Sequence, residues 1–175
     1  MLRSLFVIAL LSFSQLSFSL PYTLKITEQE LQKKLDAQLP IERKNNYLTA
    51  KIYDSTVELI EGTDQIAVFS NLDVNILGSF QGSGSAYVKG EISYEPSEGA
   101  FYIQNPTIVT LKVDDIPEEF LPEIQKMAQL SLQKAALHYP VFKLNQGDIE
   151  HKMAKAMLES IEVKEQTLLI KLNTP

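Results

Sequence analysis

The chain has no cysteine and no tryptophan, and only two histidines, seven glycines and eight prolines among 175 residues. Without cysteine there are no disulfides, no thiolate metal sites and no thiol nucleophile. The glycine and proline counts are too low for a collagen-like or low-complexity chain, and an apolar share of 45% is too high for intrinsic disorder. Basic residues are also short, 16 against 22 acids for a net charge of -6. Nucleic-acid binding draws its affinity from Lys and Arg neutralising phosphates, so no nucleic-acid partner is expected.

What is present begins with an export pattern. Arg3 precedes an unbroken apolar run from Leu5 to Leu11, and Ser17-Phe18-Ser19 puts small residues at a cleavage site. The pattern predicts a signal peptide over 1–19, a single domain over 20–175 and an exported protein that carries no lipid anchor, since no cysteine stands at the cut. Removing nineteen residues and one arginine leaves 156 residues with a net charge of -7. A domain of about that length buries roughly 68–70% of its unfolded surface, enough for a core without covalent staples.

The mature chain reads as helix, long strands, helix, helix and strands. Thr27-Glu-Gln-Glu30 is a capping box, with Ile26 and Leu31 placed as its hydrophobic staple, and predicts a helix from Glu28 to about Leu39, ended by Pro40. Leu48, Ala50 and Ile52 alternate with polar residues, Asp54-Ser55 interrupts, and Val57 and Leu59 resume in the opposite phase, which predicts two short antiparallel strands. From Ile66 to Val113 the alternation is sustained. Leu72, Val74 and Ile76, then Val88 and Ile92, then Phe101, Ile103, Val109 and Leu111 mark the apolar faces of three long strands. Gly82, Gly84 and Gly90 share the inward face, where glycine permits bends and close approach. One reading makes them sources of curvature alone; the other has their missing side chains leave an apolar channel.

Asp114-Asp-Ile-Pro-Glu-Glu119 has the acids and proline of a helix start, and a helix from about Glu119 to His138 would bury an arc of Ile124, Ala128, Ser131 and Ala135, flanked by Met127 and Leu132. Val141 to Leu144 reads as a short strand, Gly147-Asp148 as the opening of another helix with Ile149, Met153 and Met157 on one face, and the phase change at Glu165-Gln166 as a terminal hairpin or bulge. The fold class expected is α+β: a long, strongly curved antiparallel sheet wrapped around a long helix, with a short N-terminal helix and a C-terminal helix plus strands.

Chemistry is sparse. Asp148 and His151 have no matching second ligand pair and read as a helix cap and a surface histidine. The serines at 79, 83, 85 and 93 have no strand-turn-helix setting for a nucleophile, and the acids at 114–119 have no calcium-loop spacing. No catalytic residue, metal or cofactor is expected, and an enzyme is the least supported class. Charge is uneven: residues 54–123 hold 13 acids and two bases, whereas Lys33, Lys34, Arg43 and Lys44 form a basic patch that reads either as solvated surface or as a contact with anionic head groups.

The order of the capped helix, the hairpin Gly82-Ser-Gly-Ser-Ala-Tyr-Val-Lys-Gly-Glu-Ile-Ser-Tyr94, Gly99-Ala-Phe-Tyr-Ile103, the following helix, Tyr139-Pro-Val-Phe-Lys-Leu144, Gly147 to Met157 and Ile161-Glu-Val-Lys164 resembles the YceB-like family of Gram-negative periplasmic lipoproteins. The resemblance covers most of the mature chain, departs from the family in lacking the lipobox cysteine, and implies a tubular lipid-binding (TULIP) type of fold with an apolar channel between sheet and helix. The leading expectation is therefore a carrier of a lipid or fatty acid, with Leu72, Val74, Ile76, Val88, Ile92, Phe101, Ile103, Val109, Leu111, Met127 and Leu132 as channel candidates. The alternative is a non-enzymatic envelope scaffold with a filled core and a protein partner.

Overall fold

The computed structural model describes residues 21–44, 46, 48–76, 78, 80–144 and 157–173. The expected signal peptide, Asp148, His151 and the helix expected to open at Gly147-Asp148 lie outside the described residues, save Met157, which begins a strand instead of closing that helix.

The capping box at Thr27 is formed: the Glu30 amide donates to Thr27 Oγ1 at 3.2 Å, and Glu30 Oε2 accepts from the Thr27 amide at 2.8 Å. The Thr27 amide, and after it the Thr27 hydroxyl, which donates to Glu30 Oε2 at 2.9 Å, hold the Glu30 carboxyl below its ordinary pKa. These bonds start helix α1 (Glu28–Asp36), which ends three residues before the expected Leu39. Before it runs a strand, β1 (Pro21–Thr27), and after it β2 (Ile41–Lys44), β3 (Leu48–Leu59), β4 (Gln65–Ile76), β5 (Phe80–Glu95) and β6 (Ala100–Val113). A 3-10 turn at Glu118–Phe120 leads into α2 (Leu121–His138), followed by β7 (Phe142–Lys143), β8 (Met157–Lys164) and β9 (Thr167–Asn173). The strands make two antiparallel sheets, β2-β3-β4-β5-β6-β7 and β1-β9-β8, and the first is curled strongly into a half-barrel.

Three expectations are corrected. The phase change at Asp54-Ser55 is a bulge inside one continuous strand: pairing jumps between Tyr53 and Thr56, and Asp54 takes φ 46°. Val109 is 48% exposed instead of buried: β6 slips register here, and Val109 is the extra residue between Ile108, opposite Val88, and Thr110, opposite Tyr87. The helix expected to match the strands is shorter: 18 α-helical residues span about 27 Å, against about 53 Å for 16 extended residues of β5. Its first turn tightens to 3-10 geometry, and the acids of that turn supply no side-chain cap. One flank of α2 meets β6 and the other faces solvent.

The inward glycines are filled rather than open. A Cβ on Gly84 would lie 1.9 Å from the Lys112 carbonyl oxygen, and one on Gly82 would lie 2.1 Å from that of Asp114. The end of β6 and the residue after it lie against β5 here, so these two positions are filled by backbone and serve close approach.

Both helices guard the sheet's edges by the same device. Beyond β2, the outer edge of β3 is met by Gln32 of α1, whose Oε1 accepts from the Val57 amide and whose Nε2 donates to the Ser55 carbonyl, both at 2.8 Å. Glu28 adds a bond from the Leu59 amide at 2.8 Å. Beyond β7, β6 is met by Gln129 of α2, which accepts from the Ile108 amide at 3.1 Å and donates to the Pro106 carbonyl at 2.7 Å. A side-chain amide thus imitates one residue of a missing strand and blunts an edge that would otherwise invite pairing. Gln32→Leu leaves two part-buried backbone groups unpaired and is expected to lower stability by about 1–3 kcal/mol. A urea midpoint equal to that of the parent would contradict this role.

Candidate functional site

Register stacks the inward side chains of β3 to β6 in rows. Val57, Val68, Val88 and Ile108 stand in one row, Ser70, Ala86 and Leu111 in a second, and Ile52, Leu72, Gly84 and Val113 in a third. Each end of this face is covered. At one end Leu59, Ile66, Ile92 and Phe101 pack with Leu31 and with Ile26, Val163, Leu168, Ile170 and Leu172 of the three-stranded sheet. At the other end Leu72, Val74 and Ile76 pack with Ile116 and with Ile124 of α2.

Between these two cores the face is apolar but only half covered. Val68, Ala86, Val88 and Ile108 are half-buried, as are Met127, Ala128, Leu132, Ala135 and Ala136 on the sheet-facing flank of α2. Gln129 ties helix to strand at Ile108, so the Val68–Val88–Ile108 row ends beside the turn of α2 that carries Met127 and Leu132. The result is a strip of apolar surface bounded by two closed cores.

The eleven channel candidates separate on this geometry. Leu72, Val74 and Ile76 belong to the second core, with Leu111 packed against it; Ile92 and Phe101 belong to the first, with Ile103 packed against it. Val88, Met127 and Leu132 border the half-covered strip. Val109 is solvent-exposed at the β6 bulge. Val68, Ala86 and Ile108 were not among the candidates. The strand alternation of Val68 and Ala86 was a usable signal, whereas Ile108 was hidden by the β6 bulge.

The other face is polar and satisfies itself. Glu42, Lys51, Asp73 and Ser83 stand in register across β2 to β5, alternating in charge, and border an open cleft of about 510 Å³ with Asn75 and Asp115. Asp73 Oδ1 accepts from Ser83 Oγ at 2.9 Å and from the Tyr53 hydroxyl at 3.2 Å. Desolvation, followed by the bond to Asp73, raises the Tyr53 pKa and keeps that hydroxyl a donor. Among the described residues no three His, Asp or Glu side chains gather where they could hold a metal ion. Of the basic patch, Lys33 and Lys34 occupy the last turn of α1, where cations favour the helix dipole, and Lys34 Nζ stands 4.5 Å from the centre of the Phe142 ring. Arg43 and Lys44 are exposed on β2.

The fold is thus that of a curled antiparallel sheet whose inner face is closed at both ends and half open between them. The chain belongs to the family described as "Protein of unknown function (DUF1439)", whose model matches residues 26–167. No curated protein matches it significantly. Among solved structures, a "Crystal structure of lipopolysaccharide binding protein" is similar to it at a TM-score of 0.32 and 9% identity, over 89% of this chain and 40% of that one. The chain spans well under half the length of that protein.

Proposed function

We propose that the protein is a non-enzymatic, exported, YceB-like carrier that takes an acyl chain or similar apolar ligand on the strip between sheet and α2. The observation that carries this reading is the row Val68–Val88–Ile108 with Met127 and Leu132, apolar and half covered between two cores that are otherwise closed. A native fold leaves such a seam open at a cost in unburied apolar surface, and a ligand recovers about 0.8 kcal/mol for each methylene it buries there. The ordered resemblance to the YceB-like family and the leader pattern at 1–19 support export to the periplasm. Titration with a fluorescent fatty acid tests the reading: saturable binding that an unlabelled long-chain fatty acid displaces supports it. Absence of binding to the purified, delipidated protein would leave a packed scaffold as the better account.

A further inference from the structure

The inner face of the sheet carries a polar break that the apolar strip leaves unused. Along β4 the inward positions Val68, Leu72, Val74 and Ile76 are apolar, and Ser70 interrupts them. The bulge in β3 supplies its partner. Tyr53 pairs with Asn71 and Thr56 with Phe69, so the two extra residues, Asp54 and Ser55, stand against Ser70. Asp54, exposed and at φ 46°, absorbs the turn of the backbone, and Ser55 comes inward at 5% exposure with its Oγ 2.8 Å from that of Ser70. Bulges re-aim side chains in this way and are enriched beside functional sites. The pair does not close on itself. Two hydroxyls own two protons, and the bond between them uses one. Among the described residues neither Oγ has another hydrogen-bond partner. Ser55 is shut in, but Ser70 is half-buried and stands two residues, about 7 Å, along β4 from Val68 of the strip, with Ala86 opposite it. For packing alone, an apolar residue at 70 would continue the pattern without the cost of desolvating a hydroxyl.

We infer that Ser70 is the specificity-determining group of the strip, and that the ligand it selects is a neutral acyl group, an ester or amide whose carbonyl oxygen accepts the spare hydroxyl proton. The inference rests on the carrier reading and adds the class of polar group that the apolar chain must carry. Ser55 donates to Ser70 and Ser70 to the ligand, so the buried hydroxyl orients and polarises the half-buried one. The rows of side chains on either side of Ser70 hold no charge, and neither does the half-buried flank of α2. A carboxylate at Ser70 would accept the same bond, but no cation stands in those rows to offset its desolvation. A free fatty acid therefore lays its chain on the strip with the carboxylate out in water. An ester can lie with its carbonyl inside, and a plain alkane fills the strip but leaves the proton unused.

The test is competition for the strip. Methyl palmitate and hexadecane, delivered from cyclodextrin, are titrated against a fluorescent fatty acid bound to the parent, to Ser55→Ala and to Ser55→Ala/Ser70→Ala. Replacing both hydroxyls by apolar groups of similar shape is nearly neutral to folding, so the double variant should unfold at the parent's midpoint. One neutral hydrogen bond to the carbonyl should raise the ester's advantage over hexadecane by about threefold to tenfold in the parent and in Ser55→Ala, relative to the double variant. Hexadecane itself should compete equally with all three. The ratio of the two competitors is the readout, because a purely structural role for the serines would move both alike. An ester-to-alkane ratio that is the same in the parent and the folded double variant would overturn the inference and leave the carrier reading in place. A parent that binds no probe would remove both.

Discussion

Gly84→Ala is expected to be among the most damaging single-methyl additions in the molecule, lowering stability by about 3 kcal/mol, the upper end of the usual overpacking cost. The added Cβ would meet the Lys112 carbonyl oxygen at 1.9 Å and the Val113 Cα at 2.9 Å. Both are backbone, so no rotamer change relieves the clash, and β5 must part from β6 where Gly84 pairs with Val113. For a domain of this size each kcal/mol is worth about 2–4 °C, so the melting temperature should fall by roughly 6–12 °C. Gly90→Ala is the informative comparison. Its nearest neighbour would be the Ile103 Cγ2 at 2.4 Å, a side-chain atom that can move, although the Gln104 carbonyl oxygen follows at 2.9 Å. The expected order is Gly84 worse than Gly90, read by thermal unfolding of both variants. Equal and small losses would show that the curl is set elsewhere.

The second large effect is on ligand binding. Val88→Asp places a carboxylate in the middle of the half-covered row, between Val68 and Ile108. A bound acyl chain would have to desolvate that charge or surrender the methylenes that lie beside it, about 0.8 kcal/mol each. Loss of two to four methylenes weakens a fluorescent fatty acid by roughly tenfold to two-hundredfold. Because Val88 is half-buried, the aspartate keeps access to water and the fold should survive, as circular dichroism would show. Val109→Asp is the matched control. It changes the same residue type on a neighbouring strand, but at a solvent-exposed bulge, and should leave affinity unchanged. Equal affinities for the parent and both variants would remove the strip as the binding site.

Val88 and Val109 also show where sequence periodicity stops being informative. The alternation from Ile66 to Tyr94 was legible because β4 and β5 pair without interruption, so parity in sequence equals face in space. In β6 two register slips break that equality: parity points to Val109, while the fold turns Ile108 inward. The same limit applied to β3, where Asp54 in the left-handed region continues the strand through what reads as a turn. β1 was missed for another reason. Its partner is β9, with Leu24 opposite Ile170, and a strand whose apolar side finds its cover almost 150 residues away announces little locally. β2, four residues with three exposed, has too little pattern to read. The terminal hairpin was legible because Glu165 and Gln166, both at positive φ, sit where the phase changes.

For the candidate site, periodicity told inward from outward but not what lies over each inward residue. Phe101 and Val88 share a pattern, yet the three-stranded sheet closes over Phe101 at 0% exposure while the row at Val88 stays half open. That difference depends on where β1, β8 and β9 pack, which is a long-range property. The glutamines that fasten the helices were equally silent in sequence. Gln32 and Gln129 are ordinary helix formers until a strand edge stands beside them.

The central claim is that the open row between the two cores holds an apolar ligand. Native mass spectrometry of the protein purified without detergent or denaturant addresses it most directly. The account predicts a population heavier than the bare chain by the mass of a lipid or fatty acid, stripped on activation and absent from Val88→Asp but present in Val109→Asp. A single species at the mass of the bare chain, unchanged after incubation with long-chain fatty acids, would contradict it.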